Sequence, residues 1–486
     1  MTKYPVGLRP LLLAVALIPM AALAVPVMAQ PAPPPGAPPA LPNGGPPPAM
    51  PNGGPPPAMP SMADTAYDAL IAVRDGRLTH TLPGRAAASA TLVAGAHITS
   101  ARDGQNGVWI SGGHSAFTLR NAAIRLSGTG RNDFLGIGAG VLVRDDAAAV
   151  IDHSRIETRG AVASALVVAE GATLRVYDSH LVAHGGPLPR GYVRHIGPGM
   201  MEPPAPLGLD GTARAFLAMS NARAYLYRTT IEADGWGALS TDAAGGHLYV
   251  EANDCTIRVT RRGYGAYADF GAHVVLNRGT LDSGADGAII AGQARIDMTD
   301  VRATAARTGV MIHSVMGNPQ EVATLNLTRT TLTTTGPALL VKSANARITL
   351  QGGQITSASG QLLTLRRNDD PNATQTHGAM VPGVVLTLRQ AALKGDVASY
   401  DPDRTLTLTL DNSRLQGALR GVVLNATGQS GWTATAASDV TLANAGSAAL
   451  IDAPAGVTVT ATSTDPALPP QSRSLPGGGT LIIRRP

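Results

Sequence analysis

A short segment that ends in Ser or Thr and then Gly, directly or after one residue, recurs along the chain at intervals of about 20 to 28 residues. Four consecutive units show it, at 265–284, 286–309, 310–336 and 337–360. Each unit opens with small and aliphatic residues, continues with an alternating stretch such as residues 346–350, and closes on a short strand. Because the same residue types return at the same phase, the sequence predicts a solenoid of stacked strands.

The composition supports strands over helices. The chain has 56 glycines and only four phenylalanines, and strict alternation runs through residues 173–177 and 405–410. A β-sandwich would place turn signals every 8–12 residues without a fixed phase, whereas the phase of the repeat is kept here, also in 138–160 and 161–185. The sequence therefore predicts an all-β chain folded as a parallel β-helix.

The first 29 residues have the pattern of a secretory signal peptide. Lys3 and Arg9 precede an apolar run over residues 11–25, and small residues follow before Gln30. A membrane-spanning helix would need about 20 apolar residues, and Pro19 interrupts this run. The sequence predicts export, to the periplasm, the cell surface or the medium of a Gram-negative bacterium, with no integral membrane segment in the mature chain.

The remaining chain divides by composition. Residues 30–63 are rich in Pro and Gly and contain a tandem PNGGPPPAM, which is typical of an extended low-complexity linker. The repeats predict a β-helix over residues 64–465. Residues 466–486 read as a C-terminal Pro/Gly tail or cap.

Charge and cysteine content exclude some classes of function. The formal net charge of +5 falls to +3 without residues 1–29, because Lys3 and Arg9 leave and no acid lies there. Nucleic-acid binding would need a concentrated basic stripe, and the arginines are scattered along the repeats, so no nucleic-acid partner is predicted. The single cysteine, Cys255, cannot form an intramolecular disulfide, and its alternating surroundings predict an inert, coil-facing thiol.

Two units carry a family resemblance, through SRIETRG at 154–160 and TTLTTTG at 330–336. An aliphatic opening, an alternating strand and then I/L-x-T-x-G resemble the right-handed, single-stranded β-helix of pertactin-like autotransporter passenger domains, and more loosely the pectate-lyase-like superfamily. The resemblance implies a fold rather than an activity. Such passengers continue into a C-terminal membrane barrel; residues 468–486 show no such segment, so the sequence predicts delivery by another route.

The resemblance leaves catalysis open. A polygalacturonase-like site would show N-T-D, paired aspartates, G-H-G and R-I-K in order, and the sequence shows no such series. A pectate-lyase-like site needs carboxylates that bind Ca²⁺ and an Arg or Lys base; Asp254, Asp269 and Arg261, in successive coils, are its weak candidates. Alternatively, corner aspartates cap turns and pair with surface arginines. The sequence favours a non-enzymatic protein, with a polysaccharide lyase as the alternative.

One region departs from the repeat. A long insert, residues 185–211, is followed closely by six of the chain's thirteen Tyr and Trp residues. Loops on a rigid scaffold often bind ligands, and aromatic and basic side chains suit acidic sugars. The predicted binding residues are Arg190, Arg194, His195, Trp236, Tyr264, Tyr267 and Arg262. The alternative is that the aromatic residues form ladders and the insert packs over a flank.

Three functions remain from the sequence. The first is an exported adhesin-like or carbohydrate-interaction module that binds a glycan or a host or cell-surface ligand. The second is the polysaccharide lyase, and the third is a structural component of the envelope or matrix. No metal site is predicted: the histidines are mostly dispersed, and His180 and His184, which have the i, i+4 spacing of a zinc motif, lie at the end of a strand and its turn. No cofactor is predicted, except Ca²⁺ in the lyase alternative.

Overall fold

The computed structural model describes residues 65–81, 87–131, 134–193, 201, 213–243, 246–314, 320–369 and 380–486. The predicted signal peptide, 1–29, and linker, 30–63, lie outside the described residues. Each coil of the chain contributes strands to three faces, in the order first, second and third. Equivalent strands of successive coils pair in parallel.

The coils before the insert begin with two antiparallel hairpins, β1–β2 and β3–β4. Their strands are β1 (Asp68–Arg74), β2 (Arg77–His80), β3 (Ala87–Ala88), β4 (Leu92–Ala94), β5 (His97–Ser100), β6 (Gln105–Ser111), β7 (Ala116–Arg120), β8 (Ala123–Leu126), β9 (Val141–Arg144), β10 (Ala148–Asp152), β11 (Arg155–Thr158), β12 (Leu166–Val168), β13 (Thr173–Tyr177) and β14 (His180–Ala183). From β6 onward each coil has three strands.

The central coils follow the insert and repeat the same three-strand order. Their strands are β15 (Ala213–Met219), β16 (Arg223–Tyr227), β17 (Thr230–Ala233), β18 (Trp236–Asp242), β19 (Leu248–Asn253), β20 (Thr256–Val259), β21 (Gly263–Asp269), β22 (Ala272–Asn277), β23 (Thr280–Ser283), β24 (Asp286–Ala291), β25 (Arg295–Thr299), β26 (Arg302–Ala305), β27 (Thr308–His313), β28 (Val322–Thr328), β29 (Thr331–Thr334), β30 (Leu339–Lys342), β31 (Asn345–Gln351) and β32 (Gln354–Ser357). The predicted unit 286–309 thus corresponds to β24, β25 and β26.

The C-terminal coils become shorter from β39 onward. Their elements are β33 (Gln361–Arg366), β34 (Met380–Arg389), β35 (Ala392–Lys394), β36 (Asp396–Ser399), β37 (Arg404–Asp411), β38 (Arg414–Gln416), β39 (Leu419–Thr427), β40 (Gly431–Thr433), β41 (Ser438–Leu442), α1 (Ala445–Ala449), β42 (Ile451–Asp452), β43 (Thr458–Thr462), β44 (Gln471–Ser474) and β45 (Thr480–Arg484). β45 pairs in parallel with β43, and β44 folds back antiparallel onto β45. Residues 466–486 therefore contain two strands of the stack.

The faces are defined by these ladders. The third face is a ten-stranded sheet from β5 to β32, continued by a four-stranded sheet of β35, β38, β40 and β42. The first face runs from β1 and β6 through β36, and the second from β4 and β7 through β45. This all-β architecture is the predicted right-handed parallel β-helix. No helix among the described residues is long and apolar enough to cross a membrane.

The core lies inside the coil and consists of aliphatic ladders. In β28 every second residue is buried, as the alternating pattern predicts. Leu325, Ile348, Leu386, Leu408 and Leu424 occupy one register position in successive coils and are at most 1% exposed. Burial of such ladders, at about 25 cal/mol per Å² of apolar surface, provides most of the stabilisation without crosslinks.

Small residues at the start of the first-face strands allow the coils to approach closely. A Cβ atom placed on Gly287 would lie 2.5 Å from the carbonyl oxygen of Gly309, and one placed on Gly309 would lie 2.4 Å from that of Ala338. Real Cβ atoms do not approach a backbone this closely, so these positions require glycine. The small opening of each repeat is therefore a packing requirement of the coil.

The corner between the second and third faces contains one residue in the left-handed conformation per coil. Asp178, Arg228, Asp254 and Arg278 have φ angles between 45° and 55°. The next residue bonds its own backbone: the Ser179 hydroxyl donates to the Tyr177 carbonyl at 2.7 Å. This local hydrogen bond helps to turn the chain at the corner.

Candidate functional site

Two of the predicted binding residues have buried side chains. Trp236 and Tyr264 are each 1% exposed and belong to a hydrophobic cluster on the outer side of the first face. Tyr267 is half-buried against the same cluster, with its ring centroid 5.0 Å from that of Tyr264. Burial raises the pKa of the Tyr267 phenol well above its usual value. Trp236 and Tyr264 therefore contribute to packing, whereas Tyr267 keeps part of its surface exposed beside them.

Connections between the third and first faces cover this cluster. Val162 belongs to the cluster, and Phe134 and Tyr192, from the preceding and following connections, pack against it. The Met201 N–H donates to the Tyr192 hydroxyl at 2.7 Å, which ties two parts of the insert together. The described part of the insert therefore packs over a flank.

The basic residues of the predicted binding set are more exposed where the structure describes them. Arg190 and Arg262 are both exposed. The carbonyl of Arg262 accepts a hydrogen bond from the Trp236 N–H at 3.1 Å, so the backbone here is part of the regular stack. Arg194 and His195 lie outside the described residues.

The weak catalytic candidates occupy three different corners of the coil. Asp254 follows the second face and is bound by Arg278, while Arg261 follows the third face and contacts Asp234. Asp269 ends a first-face strand, is 5% exposed, and accepts a hydrogen bond from Thr241 at 2.7 Å. Burial raises the pKa of Asp269. The structure does not bring these residues together into one centre.

The structure instead assembles a charged network on the outer side of the third face. Its members come from consecutive strands, from β11 to β26, and contact one another from coil to coil. They are Arg155, Glu157, Arg159, His180, His184, Glu232, Asp234, Arg258, Arg261, Asp282 and Thr304.

Glu157 is the most buried carboxylate of this network. Its side chain is 7% exposed, and its oxygens lie 3.1 Å from Arg155 Nη2 and 2.6 Å from Arg159 Nη2. Burial acts to raise the pKa of Glu157, but the two guanidinium groups hold it below its ordinary value. Glu157 is therefore a fixed anion that orients two arginines along the surface.

Two histidines link this part of the network to the next coil. His180 Nε2 lies 2.8 Å from Glu232, and its Nδ1 contacts a guanidinium nitrogen of Arg155. His180 therefore connects the Glu232 carboxylate to the Arg155 guanidinium group across neighbouring coils. His184 lies between Asp234, at 3.3 Å, and Glu157, at 3.5 Å.

Two open cavities lie on either side of the histidines along the same edge of the third face. The first is about 460 Å³ and includes Ser100, Arg125, Ser127 and Arg159 in its lining. The second is about 580 Å³ and is lined by residues that include Arg258, Thr260, Asp282, Thr304, Thr333 and Thr335. We call the two cavities and the charged network between them the third-face groove. It presents positively charged donors, negatively charged acceptors and neutral hydroxyl groups.

Sequence reasoning missed this groove because its members are far apart in the chain. His184 and Asp234 are 50 residues apart, although their strands are neighbours. The available signal was the outward position of each third-face strand, as in R-I-E at 155–157, T-I-E at 230–232 and T-I-R at 256–258. Aligning those strands by coil would have placed their charges in one row.

The tyrosines of the second face form a ladder. The rings of Tyr177 and Tyr227 stack at 5.1 Å with an angle of 9°, and Tyr225 and Tyr249 lie 5.8 Å apart. The Arg175 guanidinium lies 5.6 Å from the centre of the Tyr225 ring. Because these rings cover one another, the ladder alternative describes them better than an open stacking platform.

Two further groups bear on chemistry. Cys255 is buried, its Sγ lies 3.3 Å from the Asn253 carbonyl, and burial raises its pKa to about 11, so the thiol is not activated. Asp152, His153 and Asp178 present ligand atoms within 4.8 Å of one another. Both of these carboxylates also form ion pairs with arginines, which leaves them partly occupied.

Comparison with known proteins adds no functional assignment: no protein-family model matches the chain, and no curated protein is similar to it in sequence. The structure shows a parallel-stranded β-helix, and the resemblance to pertactin-like passengers stays a prediction from the sequence repeat.

Proposed function

We propose that the protein is an exported, non-enzymatic β-helix that binds a glycan along the third-face groove and acts as an adhesin-like surface-interaction module. One observation carries this proposal. The outer side of the third face holds a continuous row of charged and hydroxyl side chains between two open cavities of about 460 and 580 Å³. A rigid, elongated surface of this kind suits an extended polar polymer that lies along the stack.

The chemistry of the groove favours a glycan over other polymers. Hydroxyl groups of a sugar both donate and accept hydrogen bonds, and the groove offers Arg258 as donor and Asp282 as acceptor within one cavity. Successive coils are about 4.8 Å apart, which is close to the length of one hexopyranose unit. Nucleic acid would meet repulsion from Glu157, Glu232 and Asp234, and therefore fits poorly.

Arg125 is the best-placed ligand contact in the first cavity. Its side chain is exposed and forms no ion pair with any residue in the described ranges. Most arginines of the neighbouring network already bind carboxylates. An exposed guanidinium group without such a partner can bind a ligand oxygen without breaking an internal contact.

The alternatives have less support from the geometry. The lyase would need its candidate acids and base in one place, and Asp254, Asp269 and Arg261 lie at three corners of the coil. An end-to-end filament would need open strand edges. Within the described part of the chain, the two terminal antiparallel strands, β2 and β44, are polar and mostly exposed.

The test is a glycan-array screen of the full chain, followed by calorimetric titration with the best oligosaccharide. Arg125→Gln and Arg258→Gln should each weaken binding about tenfold, the loss expected for one charge-assisted hydrogen bond. Arg347→Gln is the matched control, because Arg347 is exposed on the second face, away from the groove.

Two results would contradict the proposal. The first is unchanged affinity in both groove variants, and the second is the absence of binding to any glycan. Ultraviolet absorbance of the same mixtures, with Ca²⁺ added, tests the lyase: accumulation of unsaturated products would replace the binding function with catalysis.

A further inference from the structure

A separate cavity lies on the outer side of the first face near the C-terminal end of the stack. Over the central coils, hydrophobic side chains such as Ile289 and Leu340 cover this side. Thr364, Ala398 and Arg420 follow in register on β33, β36 and β39. These side chains leave a cavity of about 230 Å³.

An exposed aromatic ring forms part of this cavity. Tyr400 lines this cavity and is 58% exposed. The other large hydrophobic side chains that are exposed in the described ranges, Leu92 and Val193, are aliphatic. Its backbone N–H donates to the Leu365 carbonyl at 2.7 Å, which holds the residue in place. Tyr400 is therefore anchored through its backbone at the rim of the cavity, and its exposed ring is accessible to a ligand.

An arginine without an internal partner lies in the same cavity. The Arg420 side chain is exposed and makes no ion pair or hydrogen bond with any residue that the structure describes. Its two neighbouring carboxylates accept backbone hydrogen bonds instead: Asp396 from Ala418 N–H at 2.7 Å, and Asp439 from Gly421 N–H at 2.8 Å. By contrast, the nearby Arg404 and Arg389 bind carboxylates directly.

Much of the remaining lining is small and apolar, and Gln361, Thr364 and Asp396 add polar groups to it. Ala398, Ala418, Ala436 and Ala437 contribute to its lining. A methyl-sized group can pack against these side chains and remove apolar surface from water. The cavity thus combines a cation, an aromatic ring and an alanine patch.

We propose that this cavity binds an N-acylated acidic sugar unit. The ligand carboxylate pairs with Arg420, a carbon–hydrogen face of the sugar packs on Tyr400, and the acyl methyl group packs on the alanines. Asp396 provides an acceptor for the amide N–H or a hydroxyl group. This second site rests on the proposed function only for the class of ligand, since no residue lining it lines the third-face groove.

The experiment measures binding of N-acetylneuraminate to the full chain by calorimetry and saturation-transfer NMR. Galacturonate, which has the carboxylate but no acyl group, and N-acetylglucosamine, which has the acyl group but no carboxylate, are the comparison ligands. N-acetylneuraminate should bind more tightly than both. Arg420→Gln should weaken it about tenfold, and Tyr400→Ala should also weaken it.

Arg414→Gln is the matched control, because Arg414 is an exposed arginine on β38 that does not line the cavity. It should bind N-acetylneuraminate as the unchanged protein does. Equal affinity for galacturonate and N-acetylneuraminate would overturn the acyl assignment, and unchanged binding in Arg420→Gln would overturn the site.

The groove variant Arg258→Gln separates this site from the proposed function. It should lose affinity for the oligosaccharide of the groove and keep affinity for N-acetylneuraminate. Loss of N-acetylneuraminate binding in Arg258→Gln, with Arg420→Gln unaffected, would place the acidic sugar in the groove and overturn the second site.

Discussion

Arg278 and Asp254 form a two-point ion pair across neighbouring coils: Nε lies 3.0 Å from Oδ1, and Nη2 lies 2.9 Å from Oδ2. The same pair recurs on the same corner as Arg228 with Asp178 and as Arg329 with Asp300. The six residues alternate in charge along the stack. Asp254, a candidate for catalysis by sequence, is thus part of a structural ladder.

We expect Arg278→Asp to lower the thermal unfolding midpoint, because it places a third carboxylate between Asp254 and Asp300. The loss should shrink as salt is added, since exposed charges are screened. Thermal unfolding at low and high salt measures this. Arg302→Asp is the control, because its neighbours in register are Thr280 and Thr331; equal losses in both variants would contradict the ladder.

The ladder also predicts a dependence of stability on acid. Hydrogen bonds from arginines lower the pKa of Asp178, Asp254 and Asp300. A lowered pKa in the folded state stabilises the protein above the ordinary aspartate pKa of 3.8, and this stabilisation is lost as the pH falls through the folded value. Unfolding midpoints should therefore fall more steeply below about pH 4 in the unchanged protein than in the triple Asp→Asn variant. Parallel curves would exclude the effect.

Gly309→Ala should destabilise the coil. The new Cβ would meet the Ala338 carbonyl oxygen at 2.4 Å and a Leu332 methyl group at 2.7 Å, and overpacking of this kind costs about 1–3 kcal/mol. Denaturant unfolding measures the loss. Gly431→Ala is the control, because its nearest neighbouring atom would lie 4.0 Å away; similar stability of the two variants would argue against close coil contact.

Trp236→Ala should lower the free energy of unfolding by about 3–5 kcal/mol, as large buried aromatic truncations do. Arg262→Ala, at an exposed position beside it, should leave stability nearly unchanged. Denaturant unfolding of both variants distinguishes them. A stable Trp236→Ala protein that has lost glycan binding would restore Trp236 as a ligand contact.

Cys255→Ser should fold normally. Ser179 and Thr229 occupy the equivalent corner position in earlier coils and donate to the backbone carbonyl two residues before, so a serine hydroxyl can reach the Asn253 carbonyl. The native thiol should resist labelling at neutral pH, because burial raises its pKa to about 11. Rapid labelling of the folded protein by a thiol reagent would show that the corner is open.

The repeat was readable from the sequence because the coil imposes it locally. Alternation marks strands such as β28, and Gly287 and Gly309 stand where a Cβ would strike the next coil. The insert was also recognised as the break in the pattern. The burial of the outward side chains could not be predicted from the sequence, because Trp236 shares a cluster with Val162 and Tyr192 from other coils.

The candidate sites depend on contacts between coils, and coil length varies. His180 and Glu232 are 52 residues apart because the insert separates their strands, yet they lie 2.8 Å apart. Because coil length varies, the sequence also did not show that Tyr400 and Arg420 line one cavity. Local residue order was sufficient for the stacked coil, since strand alternation and tight glycine packing act within one repeat and its neighbour. The tertiary structure decided which outward side chains are exposed and which form ion pairs or hydrogen bonds, because both depend on which distant segments the stack brings side by side.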